Sequence, residues 1–186
     1  TIDQLLDLPA EETPPQIIEP DRSTWDWLVG SYAGVISGAA EVVREGDDLK
    51  LVWQGQPLAL KAVEPDLYIA LSPDEAQQGA PLPVSFSFAE ANSPAEYAHV
   101  IVEHGYSLAL KRLDSDPNFQ PDVSRFEQYA GVYDAGFSTL TVRVEDGVLV
   151  VKSPLFQNAE LPAKPVGLHQ FLLPVGLLTF EPPDAV

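Results

Sequence analysis

The chain has 186 residues, 45% of them hydrophobic and 20% charged, enough to bury about 70% of the unfolded surface and to fold with neither disulfide nor metal. Asp and Glu number 28 against 10 Lys and Arg, a formal net charge of −18, which repels phosphate backbones and anionic headgroups and argues against nucleic acid and against membrane insertion. Cysteine is absent, which excludes thiol catalysis, Cys-ligated zinc and iron–sulfur clusters.

From the N-terminus, Ile2, Leu5, Leu6 and Leu8 share helical spacing, which predicts one or two helical turns over residues 2–8, ended by Pro9. Residues 9–22 contain Pro14, Pro15 and Pro20 and read as an extended strap or linker. The chain starts at Thr1 and contains no Met, as expected of a processed product or a piece of a longer protein, and its acidic, proline-broken start is unlike a signal peptide. Beyond the strap, 18 Pro and 12 Gly punctuate the chain too often for long helices and favour short strands joined by turns. Alternation at Leu49, Leu51 and Trp53, at Val84, Phe86 and Phe88, and at Leu140, Val142 and Val144 predicts strands with one buried face. Residues 148–151 are apolar on both faces and should run centrally. Glu45-Gly46-Asp47-Asp48 and Glu145-Asp146-Gly147 read as hairpin turns.

Much of this pattern occurs twice, at an offset of about 100 residues. Trp27-Leu28-Val29-Gly30-Ser31-Tyr32 lines up with Gln128-Tyr129-Ala130-Gly131-Val132-Tyr133, residues 42–49 with 142–149, residues 60–67 around Pro65 with 161–168 around Pro165, and residues 84–88 with 177–180. The first copy continues into a hairpin over 98–103 and 106–111; the second stops before it. An antiparallel meander of this length closes into a small barrel or curls strongly, because closure removes exposed edges. Gly30 and Gly131 then permit close packing beside inward-facing Tyr32 and Tyr133. The expected fold is all-β and antiparallel: an N-terminal short helix and strap (1–24), a first lipocalin-like barrel (25–113), a bridge (114–125), and a second, truncated barrel or curled sheet (126–186).

The sequence Tyr129-Ala130-Gly131-Val132-Tyr133, the 140–151 hairpin with its Glu-Asp-Gly turn, Leu161-Pro162, His169-Gln170-Phe171 and Leu178-Thr179-Phe180-Glu181 resembles the C-terminal lipocalin-like domains appended to serine β-lactamase-like hydrolases, the group of class C β-lactamases, penicillin-binding proteins and D-aminopeptidases. The resemblance covers about residues 25–181, as two copies. It implies an accessory module that packs beside or gates a catalytic domain of the parent chain, or mediates homo-oligomerisation. It also implies a periplasmic or extracellular place. The group's catalytic signatures are missing from this chain: no serine has a lysine three residues on, and Tyr-x-Asn and Lys-Thr-Gly are absent. The chain is therefore expected to be no enzyme by itself and to need no cofactor.

Several other residues invite a chemical reading. His99 and His104 with Glu103 suggest a metal, but on a strand the two histidines face opposite ways. Lone His169 reads as a surface or half-buried histidine. Gly105-Tyr106-Ser107-Leu108-Ala109 approaches a nucleophile elbow without the helix that motif needs. Asp114, Asp116 and Asn118, with Asp122 later, have the spacing of a calcium loop, but Phe119 stands where the loop wants glycine and Arg125 where it wants glutamate. They are the weak metal candidates, and a solvated bridge is preferred. Trp25, Trp27 and Trp53 suit core packing better than a ligand platform. The long polar loops at 72–83 and 90–96 are the segments placed to reach a partner. The alternative function is an independent barrel binding a small hydrophobic ligand in an apolar cavity.

Overall fold

A computed structural model describes residues 16–34, 38–73, 80–102, 105–114, 119–136 and 138–181. The helix expected over 2–8 and most of the strap lie outside these residues. From the strap's end, the Ile18 amide donates to the Ala62 carbonyl at 2.9 Å, and Ile18 packs on the first core.

The chain is all-β and antiparallel, as its alternation predicts. Eight strands close a barrel in sequence order: β1 (Gly30–Ala33), β2 (Ala39–Glu45), β3 (Asp48–Trp53), β4 (Gln56–Ala62), β5 (Leu67–Leu71), β6 (Leu82–Phe88), β7 (Ala95–Ile101) and β8 (Ser107–Arg112). Closure comes from β1 pairing with β8, Tyr32 opposite Arg112 and Ala33 opposite Lys111. Six further strands form a curled open sheet: β9 (Gly131–Asp134), β10 (Thr139–Glu145), β11 (Val148–Lys152), β12 (Glu160–Gly167), β13 (Gln170–Leu173) and β14 (Gly176–Thr179). Among the described residues β9 and β14 each pair on one side only.

Local chemistry explains the turns. Asp146 and Gly147 both have positive φ, 49° and 78°, the conformation a two-residue turn needs to match strand twist. Gln54 and Gly55 make the same turn between β3 and β4. Leu49 and Leu51 are buried inside the barrel, and Leu149 and Val151 repeat them centrally in the second sheet. Phe88 keeps its expected inward parity, opposite core residue Ala95, but stands at the end of β6 and is 37% exposed. The β6–β7 register shift beside it lies on β7, where Glu96 is the extra residue between Ala95 and Tyr97.

The match of Pro65 with Pro165 does not survive folding. Pro65 sits in the β4–β5 connection, whereas Pro165 lies inside β12 at a register shift, opposite Phe171. The strands correspond by order instead, so β12 answers β4 and β14 answers β6.

Two apolar cores result. Tyr32, Leu49, Leu51, Tyr68, Phe86 and Leu110 fill the barrel, with Phe86 in ring contact with Tyr32 at 6.1 Å and Tyr68 at 5.7 Å. Phe126, Tyr129, Leu149, Val151 and Phe171 fill the concave side of the second sheet. A third cluster of Ala33, Ala39, Val166 and Leu172 joins the two units. The Ala39 amide adds a bond to the Pro174 carbonyl at 3.3 Å, and Lys164 Nζ donates to Glu41 Oε1 at 2.6 Å.

Candidate functional site

Each unit begins with the same corner. Asp21 caps a 3-10 turn (Arg22–Thr24) by accepting from the Ser23 amide at 2.9 Å and its hydroxyl at 2.6 Å. Asp122 caps the 3-10 helix Val123–Tyr129 by accepting from the Ser124 amide at 3.2 Å and its hydroxyl at 2.6 Å. The two bonds from Ser23 also hold the Asp21 carboxyl below the ordinary carboxylate range. After each helical stretch the chain turns into the unit's first strand, and a tyrosine ties the corner. Tyr32 Oη donates to the Leu28 carbonyl at 2.6 Å, and Tyr133 Oη donates to the Tyr129 carbonyl at 2.8 Å. Gly30, Tyr32, Gly131 and Tyr133 therefore occupy equivalent places. The equivalence extends upstream to Asp21 and Asp122, a match that capping chemistry in the sequence could have revealed.

What lies over the corner differs. In the barrel, Arg112 on β8 donates to the Trp27 carbonyl at 2.9 Å, the Val29 carbonyl at 2.6 Å and Tyr32 Oη at 3.2 Å. Its guanidinium lies 5.8 Å from the Tyr32 ring centroid. A Cβ at Gly30 would meet the guanidinium carbon at 3.0 Å, so glycine is what allows the approach. Burial pushes the Tyr32 phenol above its ordinary pKa, with Arg112 opposing.

Among the described residues the second unit has no strand in that position. Tyr32 is fully buried, Ser31 8% exposed and Ala33 7%, whereas Val132 on β9 is 72% exposed and Gly131 and Asp134 are also exposed. Between β9 and β14 lies a groove of about 510 Å³ lined by Tyr129, Tyr133, Leu140, Leu178 and Phe180, with Gln128, Asp134, His169 and Glu181 adding polar groups. Its aromatic wall is closely packed: Tyr129 and Phe180 are 4.8 Å apart by ring centroids, and Tyr133 and Phe180 5.3 Å. Tyr129 Oη is hydrogen-bonded to His169 Nδ1 at 2.8 Å. His169 is half-buried, held with φ 60° in the β12–β13 turn, and its carbonyl accepts from the Phe180 amide at 2.9 Å. The groove is concave and mostly apolar, with a few fixed polar groups, the general character of a binding site.

The other candidates are dispersed. Asp114 is exposed at the barrel's exit, while Asp116 and Asn118 lie outside the described residues, as do Glu103 and His104. Among the described residues no group of three or more His, Cys, Asp or Glu is placed to hold a metal ion. Ser107 is exposed at the start of β8. His99 Nε2 is 3.0 Å from Ser87 Oγ across β6 and β7, a pair not anticipated from sequence, with no carboxylate on the histidine among the described hydrogen bonds. Trp25 is buried in the barrel core, with Trp53 packed against it, and Trp27 lies beside the 90–92 part of a candidate reaching loop. Residues 74–79, half of the other candidate loop, lie outside the described residues. No helix among the described residues is long and apolar enough to cross a membrane. In comparisons with known proteins, no family model and no curated protein matched the chain.

Proposed function

We propose that the chain is a non-catalytic accessory module of a serine β-lactamase-like hydrolase, packing on or gating the catalytic domain or mediating oligomerisation. The observation that carries this reading is the open second sheet. Its apolar concave face and two unpaired edge strands are features that soluble sheets normally cover. The residue pattern shared with the accessory domains of that group supports the choice of parent. Pure chain should then turn over neither nitrocefin nor a p-nitrophenyl ester, and its reading frame should also encode a Ser-x-x-Lys motif. Hydrolysis abolished by one serine substitution in this chain would overturn the proposal.

A second reading, a small hydrophobic ligand site, is favoured only by the groove between β9 and β14. The barrel offers less, since Tyr32, Tyr68 and Phe86 fill its interior. A hydrophobic dye whose fluorescence rises on binding, and no longer does so after Leu178→Glu, would support that reading; no response would remove it.

A further inference from the structure

The first barrel shows what the second unit lacks. There, β7 and β8 complete the wall between β6 and β1, and Arg112 seats on the first-strand corner. In the second unit the same corner is present and bare. The equivalents of the Trp27, Val29 and Tyr32 acceptors are the carbonyls of Gln128 and Ala130 and the hydroxyl of Tyr133, and no guanidinium among the described residues reaches them. Gly131 keeps the space that Gly30 gives to Arg112. The nearest atoms a Cβ there would meet belong to the Tyr133 side chain, at an ordinary 3.6 Å, and Gly131 lies outside the left-handed region, so neither backbone nor neighbours require glycine. Charge points the same way. Asp134 and Glu181 flank the groove on a chain of net charge −18, a setting that favours a cationic occupant.

We propose that the gap between β9 and β14 is a docking site for an arginine-bearing β-hairpin of a partner polypeptide, its arginine seated over Gly131 and Tyr133. One strand of the hairpin pairs with β9, as β8 pairs with β1, and places the arginine opposite Tyr133. The other pairs with β14. Main-chain pairing supplies affinity at the free edges, apolar side chains cover Leu178 and Phe180, and the guanidinium fork selects arginine over lysine by meeting several acceptors at once. The inference stands on the internal repeat and not on the identity of the parent enzyme.

The test uses the full chain and a synthetic peptide copying its own residues 94–113, which hold the last hairpin of the barrel. Saturable binding by calorimetry is expected, with amide shifts confined to residues 128–134 and 176–181. Arg112→Ala in the peptide should weaken binding by about tenfold or more, the size expected for losing charge-assisted hydrogen bonds, and Arg112→Lys should restore little of it. Because these variants alter only the peptide, the protein's folding is not at issue. The same hairpin appended to the C-terminus provides an intramolecular version, expected to raise the thermal midpoint only when its arginine is present. Absence of binding in both formats, binding indifferent to the arginine, or shifts confined to the first barrel would each overturn the proposal.

Discussion

Arg112 and Tyr32 close the barrel as a pair, standing opposite one another on its last and first strands with the guanidinium over the phenol ring. The tyrosine ties the corner by donating to the Leu28 carbonyl, and the arginine ties the same corner to β8 through the Trp27 and Val29 carbonyls. The first and last strands are thus joined by side chains as well as by the short ladder between them.

Replacing Arg112 by Ala should therefore destabilise the barrel by about 2–4 kcal/mol, since it removes charge-assisted bonds to half-buried carbonyls and leaves them unpaired. Arg112→Lys should recover only part of this, because a single ammonium does not span acceptors arranged for a fork. Urea denaturation of the three proteins checks both expectations. A lysine variant as stable as the native chain would show that charge alone matters.

The two corner tyrosines should respond unequally to loss of their hydroxyls. Tyr32→Phe strands the Leu28 carbonyl in a fully buried setting and takes a partner from Arg112, so a loss of about 1–3 kcal/mol is expected. Tyr133→Phe frees the Tyr129 carbonyl beside an open groove where water can replace the phenol, and about 0.5–1.5 kcal/mol is expected. Equal losses in chemical denaturation would contradict the difference in burial.

The strand order was legible because period-two alternation and Asp-Gly turns are local properties, readable at Leu49, Leu51, Asp146 and Gly147. The repeat was legible at Gly30, Tyr32, Gly131 and Tyr133 because the corner needs those residue types. What sequence did not reveal depends on long-range register. Arg112 is one cation among ten, and only the β1–β8 pairing brings it onto Tyr32. Phe88 has the parity to face inward, but its exposure follows from its place at the end of β6, where the ladder stops. The missing last hairpin of the second copy was legible in the repeat, but the groove was not, because its lining residues converge only once β9, β10 and β14 are placed.

Alkaline stability follows from the buried phenols. Burial raises the pKa of Tyr32 and of Tyr68 above the ordinary 10.0. With folded values above unfolded ones, their contribution is complete below about pH 10 and is lost as pH rises through the folded values. The thermal midpoint should therefore fall above pH 10, and Tyr68→Phe should make that limb shallower. An unchanged limb would place the alkaline sensitivity elsewhere.

On the acid side, Arg143 holds the Glu160 carboxyl below its ordinary 4.5 from 2.7 Å away. This contribution is present above the unfolded pKa and disappears as pH falls through the folded one. Glu160→Gln should flatten the acid limb of a stability-against-pH profile slightly and leave the plateau near neutrality almost unmoved, because the pair is exposed to solvent. A large loss at pH 7 would show that Glu160 has a structural role beyond the ion pair.

The contact between the two units rests more on packing than on charge. Lys164 is 60% exposed and its partner Glu41 18%, so their coupling in a double-mutant cycle should be about 0.2–1 kcal/mol and should shrink with added salt. Glu41→Ala should cost more than Lys164→Ala, because Glu41 also accepts from the Ser31 hydroxyl at 3.0 Å while the lysine returns freely to water. Val166→Ala, which opens the apolar cluster with Ala33, Ala39 and Leu172, should exceed either charge deletion and remain insensitive to salt. If salt instead uncoupled the two units in calorimetric unfolding, the charged pair rather than the apolar cluster would be what joins them.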